Sequence, residues 1–146
     1  MLENNIYTYI VPIARAIASL LLAVFLGVLG GWIATTFSAF MGFPWSVEVH
    51  KTIYLVGIGL GAGAGAYLAW MDLTLRWFWL AAWVAVVLLG GVAGTYAGYA
   101  YGQVADASFL GRGYTVENSI HLGAALGGFA VATLLGIFSE IRTLGR

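Results

Sequence analysis

"VHKTIYLVGIGLGAGAGAYLAW", residues 49–70, decides how this chain folds. His50 and Lys51 stand at its mouth, and from Tyr54 to Met71 there is no Asp, Glu, Lys, Arg or His. Inside that apolar run Gly57, Gly59, Gly61, Gly63 and Gly65 occupy alternate positions. In water each glycine in a helix interior costs about 1 kcal/mol relative to alanine. In hydrocarbon the backbone has no water with which to exchange its hydrogen bonds, so the helix persists. The missing side chains then become places where two backbones can approach closely.

The rest of the chain supports a lipid environment. Of its 146 residues 62% are hydrophobic and 8% charged, with a mean hydropathy of +0.94. Soluble domains carry about 25% charged residues, so six basic and six acidic side chains cannot cover this surface in water. The formal net charge is zero, which excludes nucleic acid as an expected partner, because that needs clustered Lys and Arg. There is no cysteine, hence no disulfide, thiolate nucleophile or thiolate metal site. The N-terminal MLENNIYTYIVPIAR carries Glu3 in place of a basic n-region, so no cleaved secretory signal is expected.

Charges partition the sequence into spans. None occurs between Arg15 and Glu48, from Tyr54 to Met71, from Trp77 to Ala105 or from Leu122 to Ser139. A spanning helix needs roughly 20 apolar residues, and the spacing predicts helices over about 13–40, 50–71, 76–102 and 118–140. Barrel strands would alternate apolar and polar faces, and these segments do not. The expected fold is therefore all-α: a polytopic integral membrane protein with four transmembrane helices in a glycine-rich bundle, forming a single transmembrane domain over 1–146. Pro44 and Ser46 mark the first connection, Asp72 and Arg76 the second. Residues 106–119, with Arg112 between Gly111 and Gly113 and with Tyr114, make the one long loop and the expected docking surface.

Four spans place both termini on one side, with Arg15, Arg76, Arg142 and Arg146 against Lys51 and Arg112 on the other. The positive-inside rule then makes the termini cytoplasmic. Tyr7, Tyr9, Trp70, Trp77 and Trp79 are expected to belt that side, and Trp45, Tyr54, Tyr99, Tyr101 and Tyr114 the opposite one. Burial of apolar surface gives helices in lipid no reason to associate, so small residues four apart must supply it. Every span carries such a row: Gly27 and Gly31; Gly57, Gly61 and Gly65, with Gly59 and Gly63 on another side of the same helix; Gly90, Gly94, Gly98 and Gly102; Gly123 and Gly127. With rows on two sides, the second helix is expected at the centre of the bundle or against another subunit. A lipid, carotenoid or chlorin lying flat on a glycine surface is the other use of such a face.

His50 opens the second span and His121 the fourth, which run in the same direction. Offsets of 7, 11 and 15 residues lead from His50 to Gly57, Gly61 and Gly65, and from His121 to Gly128, Ala132 and Gly136. Both rings thus cap rows of small residues, a pattern compatible with two related hairpins. Imidazole is a common axial ligand and a small-residue row leaves space for a flat ring, so His50 and His121 are the candidate cofactor ligands, for haem, chlorin or quinone. As interfacial histidines they would instead bond water, headgroups or loop carbonyls. Glu48 and Glu117 stand near them and can set a tautomer, but VEVH and ENSIH match no metal-ligand signature.

Other chemistry is missing. Proton-coupled carriers keep an ionisable group deep in the membrane, whereas these spans offer only hydroxyls such as Ser19, Thr95 and Thr133. There is no nucleophile elbow, zinc-hydrolase motif or phosphate-binding loop, and no motif is specific enough to name a family. By elimination the expected role is a non-catalytic accessory or scaffold subunit of a larger membrane complex. Energy-converting assemblies, respiratory or photosynthetic, employ many such helices in electron transport. A redox or light-harvesting subunit built on His50 and His121 is the alternative, and a small oligomeric channel or carrier another. Expected partners are membrane lipid, bound lipid included, and other integral subunits or the chain itself.

Overall fold

In the computed structural model the backbone is described for residues 3–41, 46–71, 76–105 and 114–144, and side chains for 10–41, 46–71, 76–104 and 116–139. Pro44, Trp45, Asp72, Gly111, Arg112, Gly113, Arg146 and the side chains of Tyr7, Tyr9, Tyr114 and Arg142 lie outside these residues. Four helices account for nearly everything described: α1 (Glu3–Phe40), α2 (Val47–Leu68), α3 (Trp77–Ala105) and α4 (Tyr114–Leu144). Among the described residues there is no strand. Three of the helices are long and apolar enough to cross a membrane, over Ile10–Phe40, Trp77–Val104 and Val116–Ser139. Glycine, Glu48 and Lys51 dilute the apolarity of α2, which is not one of the three.

The helix ends differ from the sequence expectation in an instructive way. Helix α1 starts ten residues before the expected position and runs through Pro12. Proline removes one donor and crowds the carbonyl four residues back, a defect that helices in lipid accommodate. At about 1.5 Å per residue its 38 residues give roughly 57 Å, well beyond a hydrocarbon core of about 30 Å, so α1 must tilt or protrude. Helix α4 starts at Tyr114, four residues early: Thr115, Glu117, Asn118 and Ser119 are polar but suit a helix's first turns, where Glu117 favours the N-terminal dipole. Ser46 caps α2: it has extended backbone, and its hydroxyl accepts a 3.4 Å bond from the Val49 amide.

Successive helices are antiparallel, and α1–α2 and α3–α4 are the two most extensive contacts. Helices α2 and α4 also meet directly, whereas α1 and α3 do not touch among the described residues. The cross-section is thus a rhombus with α2 and α4 on its short diagonal. Each of those two helices contacts all three others. The core lies along that diagonal, in Leu55, Ile58, Ala62, Ala66, Ala124, Ala125 and Ala132. Small residues dominate it because the backbones themselves fill the space.

The two hairpins repeat one contact scheme. In the first, a methyl on Gly30 would strike the Gly57 carbonyl oxygen, one on Gly61 the Leu26 carbonyl oxygen, and one on Gly57 the Ala34 side chain. In the second, the same relations join Gly94 to Gly123, Gly127 to Gly90 and Gly123 to Gly98. The correspondence adds 64 residues from α1 to α3 and 66 from α2 to α4. Across the diagonal Gly128 meets Ala62, and Gly136 meets Trp70, again 66 apart, so along this contact residues pack on their own counterparts. Parallel helices touching at equivalent positions define an approximate two-fold axis along the bundle. The histidine-based alignment of the two halves, 71 residues apart, is not the register of this packing.

The symmetry is imperfect where side chains differ. Gly59 lies so close to α3 that an added methyl would be 2.5 Å from Val92 Cα, and one on Gly63 would be 2.8 Å from Leu88 Cα. Their counterparts on α4 are Ala125 and Phe129. Side chains thus stand where α2 has bare glycine, and the α1–α4 seam is less extensive than α2–α3.

Candidate functional site

Polar side chains collect at the end of the bundle where α2 and α4 begin. On α2, Glu48 and Lys51 form an ion pair at 2.8 Å, three residues apart along the helix. The Lys51 ammonium also sits 4.9 Å from the centre of the Tyr99 ring of α3, a cation–π distance. The Tyr99 hydroxyl in turn accepts a bond from the Gln103 side-chain amide one turn further along α3. Lys51 therefore ties α2 to α3 at this end, while remaining partly open to solvent.

Both candidate histidines are at the same end and half-buried. His50 Nδ1 lies 3.2 Å from the Ser46 carbonyl oxygen, within its own first turn, and donates there when Nδ1 is protonated. The offset of 66 residues that governs the α2–α4 contact puts His121 level with Leu55, five residues deeper than His50. That is about 7.5 Å along the axis, so the two rings stand at different heights. Among the described residues no three His, Asp or Glu side chains are grouped to hold a metal ion.

The small residues picked out in the sequence sit at the contacts just described. Gly57, Gly61 and Gly65 face α1, against Gly30, Leu26 and Leu22. Gly90, Gly94 and Gly98 face Gly123 and Gly127 of α4, and Gly102 is buried. Gly59, of the row Gly59 and Gly63, also meets Gly91, a glycine that belongs to no four-residue ladder. Only the cross-section reveals which faces are turned toward each other.

Trp70 is the residue whose setting sequence reasoning missed. Expected in an aromatic belt, it is 4% exposed, whereas Trp77 and Trp79 are 79% and 55% exposed. Its indole lies on Gly136 of α4, where a methyl would be 2.7 Å from Cζ3 and nearer still to Cδ2 and Cε3. The absent side chain of Gly136 admits the ring. A tryptophan 66 residues before a glycine is no signal without the packing register. The outward faces are apolar: along α1, Leu29, Trp32, Ile33, Phe37 and Phe40 line an open groove with Thr36.

Compared with known protein families, with curated proteins and with solved structures, the chain matches none of them.

Proposed function

We propose that this chain is a non-catalytic accessory or scaffold subunit of a larger membrane complex. The observation that carries the reading is the contrast between its two kinds of surface. Inside, backbones meet through glycine and alanine with almost no side-chain freedom to lose. Outside, α1 presents Phe25, Trp32, Phe37 and Phe40 with more than half of each side chain exposed. Large aromatic side chains are strong anchors in pockets of a partner, and a rigid bundle holds them in fixed relative positions. The energy-converting assemblies are the class in which such small helical subunits abound. On this reading the termini face the cytoplasm, by the excess of Arg15, Arg76, Arg142 and Arg146 over Lys51 and Arg112.

The test is gentle extraction from the native membrane, with identification of the integral subunits that co-purify and a visible and near-infrared absorption spectrum. Stoichiometric partners lost in a Trp32→Ala, Phe37→Ala variant are the expected result. A Soret or chlorin band that disappears in His50→Ala or His121→Ala would replace this reading with a cofactor-binding redox or light-harvesting subunit. Ion or solute flux through liposomes holding the chain alone would replace it with a channel or carrier.

A further inference from the structure

Two buried polar groups lie on the α2–α4 contact toward the end of the bundle where α2 finishes. The Trp70 indole Nε1 and the Thr133 hydroxyl are both buried, and neither has a hydrogen-bond partner among the described residues. Thr133 is one turn before Gly136, the residue on which the Trp70 ring lies. The 66-residue register places Thr133 level with Tyr67, so both groups border the same stretch of the α2–α4 contact.

Neither group is in its ordinary state. Thr35, Thr36, Thr52 and Thr95 all return their hydroxyls to the carbonyl four residues back, at 2.8–2.9 Å, the usual recourse of a threonine in a helix. Thr133 alone of the described threonines does not. A tryptophan at a membrane boundary ordinarily turns its N–H toward water or headgroups. Trp70 cannot, because its ring is seated between α2 and α4 on the bare backbone of Gly136. An indole N–H only donates, whereas a hydroxyl both donates and accepts.

We infer that the α2–α4 contact at Trp70, Thr133 and Gly136 is a binding site for one acceptor oxygen, which takes the indole N–H and the Thr133 hydroxyl together. Trp70 lies two residues beyond Leu68, the last residue of α2, and two sources offer that chemistry at the end of a bundle in lipid: a water molecule and the ester carbonyl of a phospholipid. The site is independent of the proposed scaffold role and of the two histidines.

Ultraviolet resonance Raman spectroscopy reads it directly, through the indole band that reports hydrogen bonding at the ring nitrogen. The full chain is reconstituted in phospholipid nanodiscs, and the difference between wild type and Trp70→Phe isolates this tryptophan from the other five. A hydrogen-bonded position is expected; the free-indole position would overturn the inference. Thr133→Val is close to isosteric and keeps Trp70 in place, so it serves even where Trp70→Phe fails to fold. It should move the Trp70 band toward the free position, with Thr133→Ser restoring it, and an unmoved band would show that there is no shared site. Loss of the bonded position in Tyr67→Phe or Asp72→Ala would identify a protein acceptor and likewise overturn the inference. Nanodiscs of ether-linked lipid separate the sources: persistence of the bonded band assigns water, and its loss assigns the ester carbonyl.

Discussion

Gly94 of α3 and Gly123 of α4 are reciprocal neighbours: a methyl group on either would strike the other's carbonyl oxygen. No side-chain rotation relieves such a collision, because both atoms belong to helix backbones. Gly94→Ala should destabilise the bundle by about 1–3 kcal/mol, the range for overpacking, and Gly94→Leu should separate α3 from α4. Ala97→Leu, on the exposed side of the same helix, should change stability by no more than about 0.5 kcal/mol. Unfolding in graded mixtures of mild detergent and dodecyl sulfate measures both. Equal effects from the two sites would contradict the packing.

The spacing of charges made the helices legible, and the four-residue glycine rows made their contact faces legible. Gly57, Gly94 and Gly123 needed only that logic, whereas on α1 it is Gly30, outside the expected Gly27 and Gly31 row, that meets Gly57 and Gly61. What the sequence withheld was register, which depends on how far one helix slides past another. That sliding is set by the sum of many backbone contacts, none of which leaves a local mark. Gly91 against Gly59 and Trp70 on Gly136 are therefore invisible until the helices are docked. Trp70 illustrates the cost: its position near a span end reads as a membrane-interface anchor, while the fold encloses it. The two histidines suffered the same ambiguity, since equal offsets to glycines do not establish equal heights.

Ser19 is fully buried on α1, and its hydroxyl donates to the Ala66 carbonyl oxygen of α2 at 3.0 Å. This is an interhelical bond within the apolar core. Such bonds in membrane proteins contribute about 0.6 kcal/mol on average and about 1.7 kcal/mol at most. Ser19→Ala should fall within that range in the same unfolding assay. Ser19→Val, which adds volume against α2, should cost more than Ser19→Ala. The reverse order would mean that the hydroxyl, and not the close approach, governs this contact.

The Lys51 ammonium is held by Glu48 and by the face of Tyr99. Tyr99→Phe keeps an aromatic face but loses the bond from Gln103, whereas Tyr99→Leu loses both. A cation–π contact adds to what the ring contributes by packing, so Tyr99→Leu should destabilise more than Tyr99→Phe. In a Lys51→Met background the difference should shrink, a double-mutant cycle that isolates the charge. An unchanged difference would assign the Tyr99 contribution to packing alone.

Because each hairpin is a complete copy of the same contact scheme, residues 1–71 and 76–146 should assemble when made as separate chains in one membrane. Helices that are individually stable in lipid associate afterwards by packing, and the covalent link across 72–75 adds proximity without adding an interface. The expected result is co-purification of an affinity-tagged first half with an untagged second half. Gly63→Leu should abolish it, since that side chain would occupy the space of the Leu88 backbone, and so should Gly128→Leu, which would push Ala62 away from the pseudo-two-fold axis. Gly57→Leu lies within the first half, on the side facing Gly30, and should weaken that hairpin itself. A second half that co-purifies equally with the Gly63→Leu variant would show that the α2–α3 and α2–α4 contacts do not hold the two hairpins together.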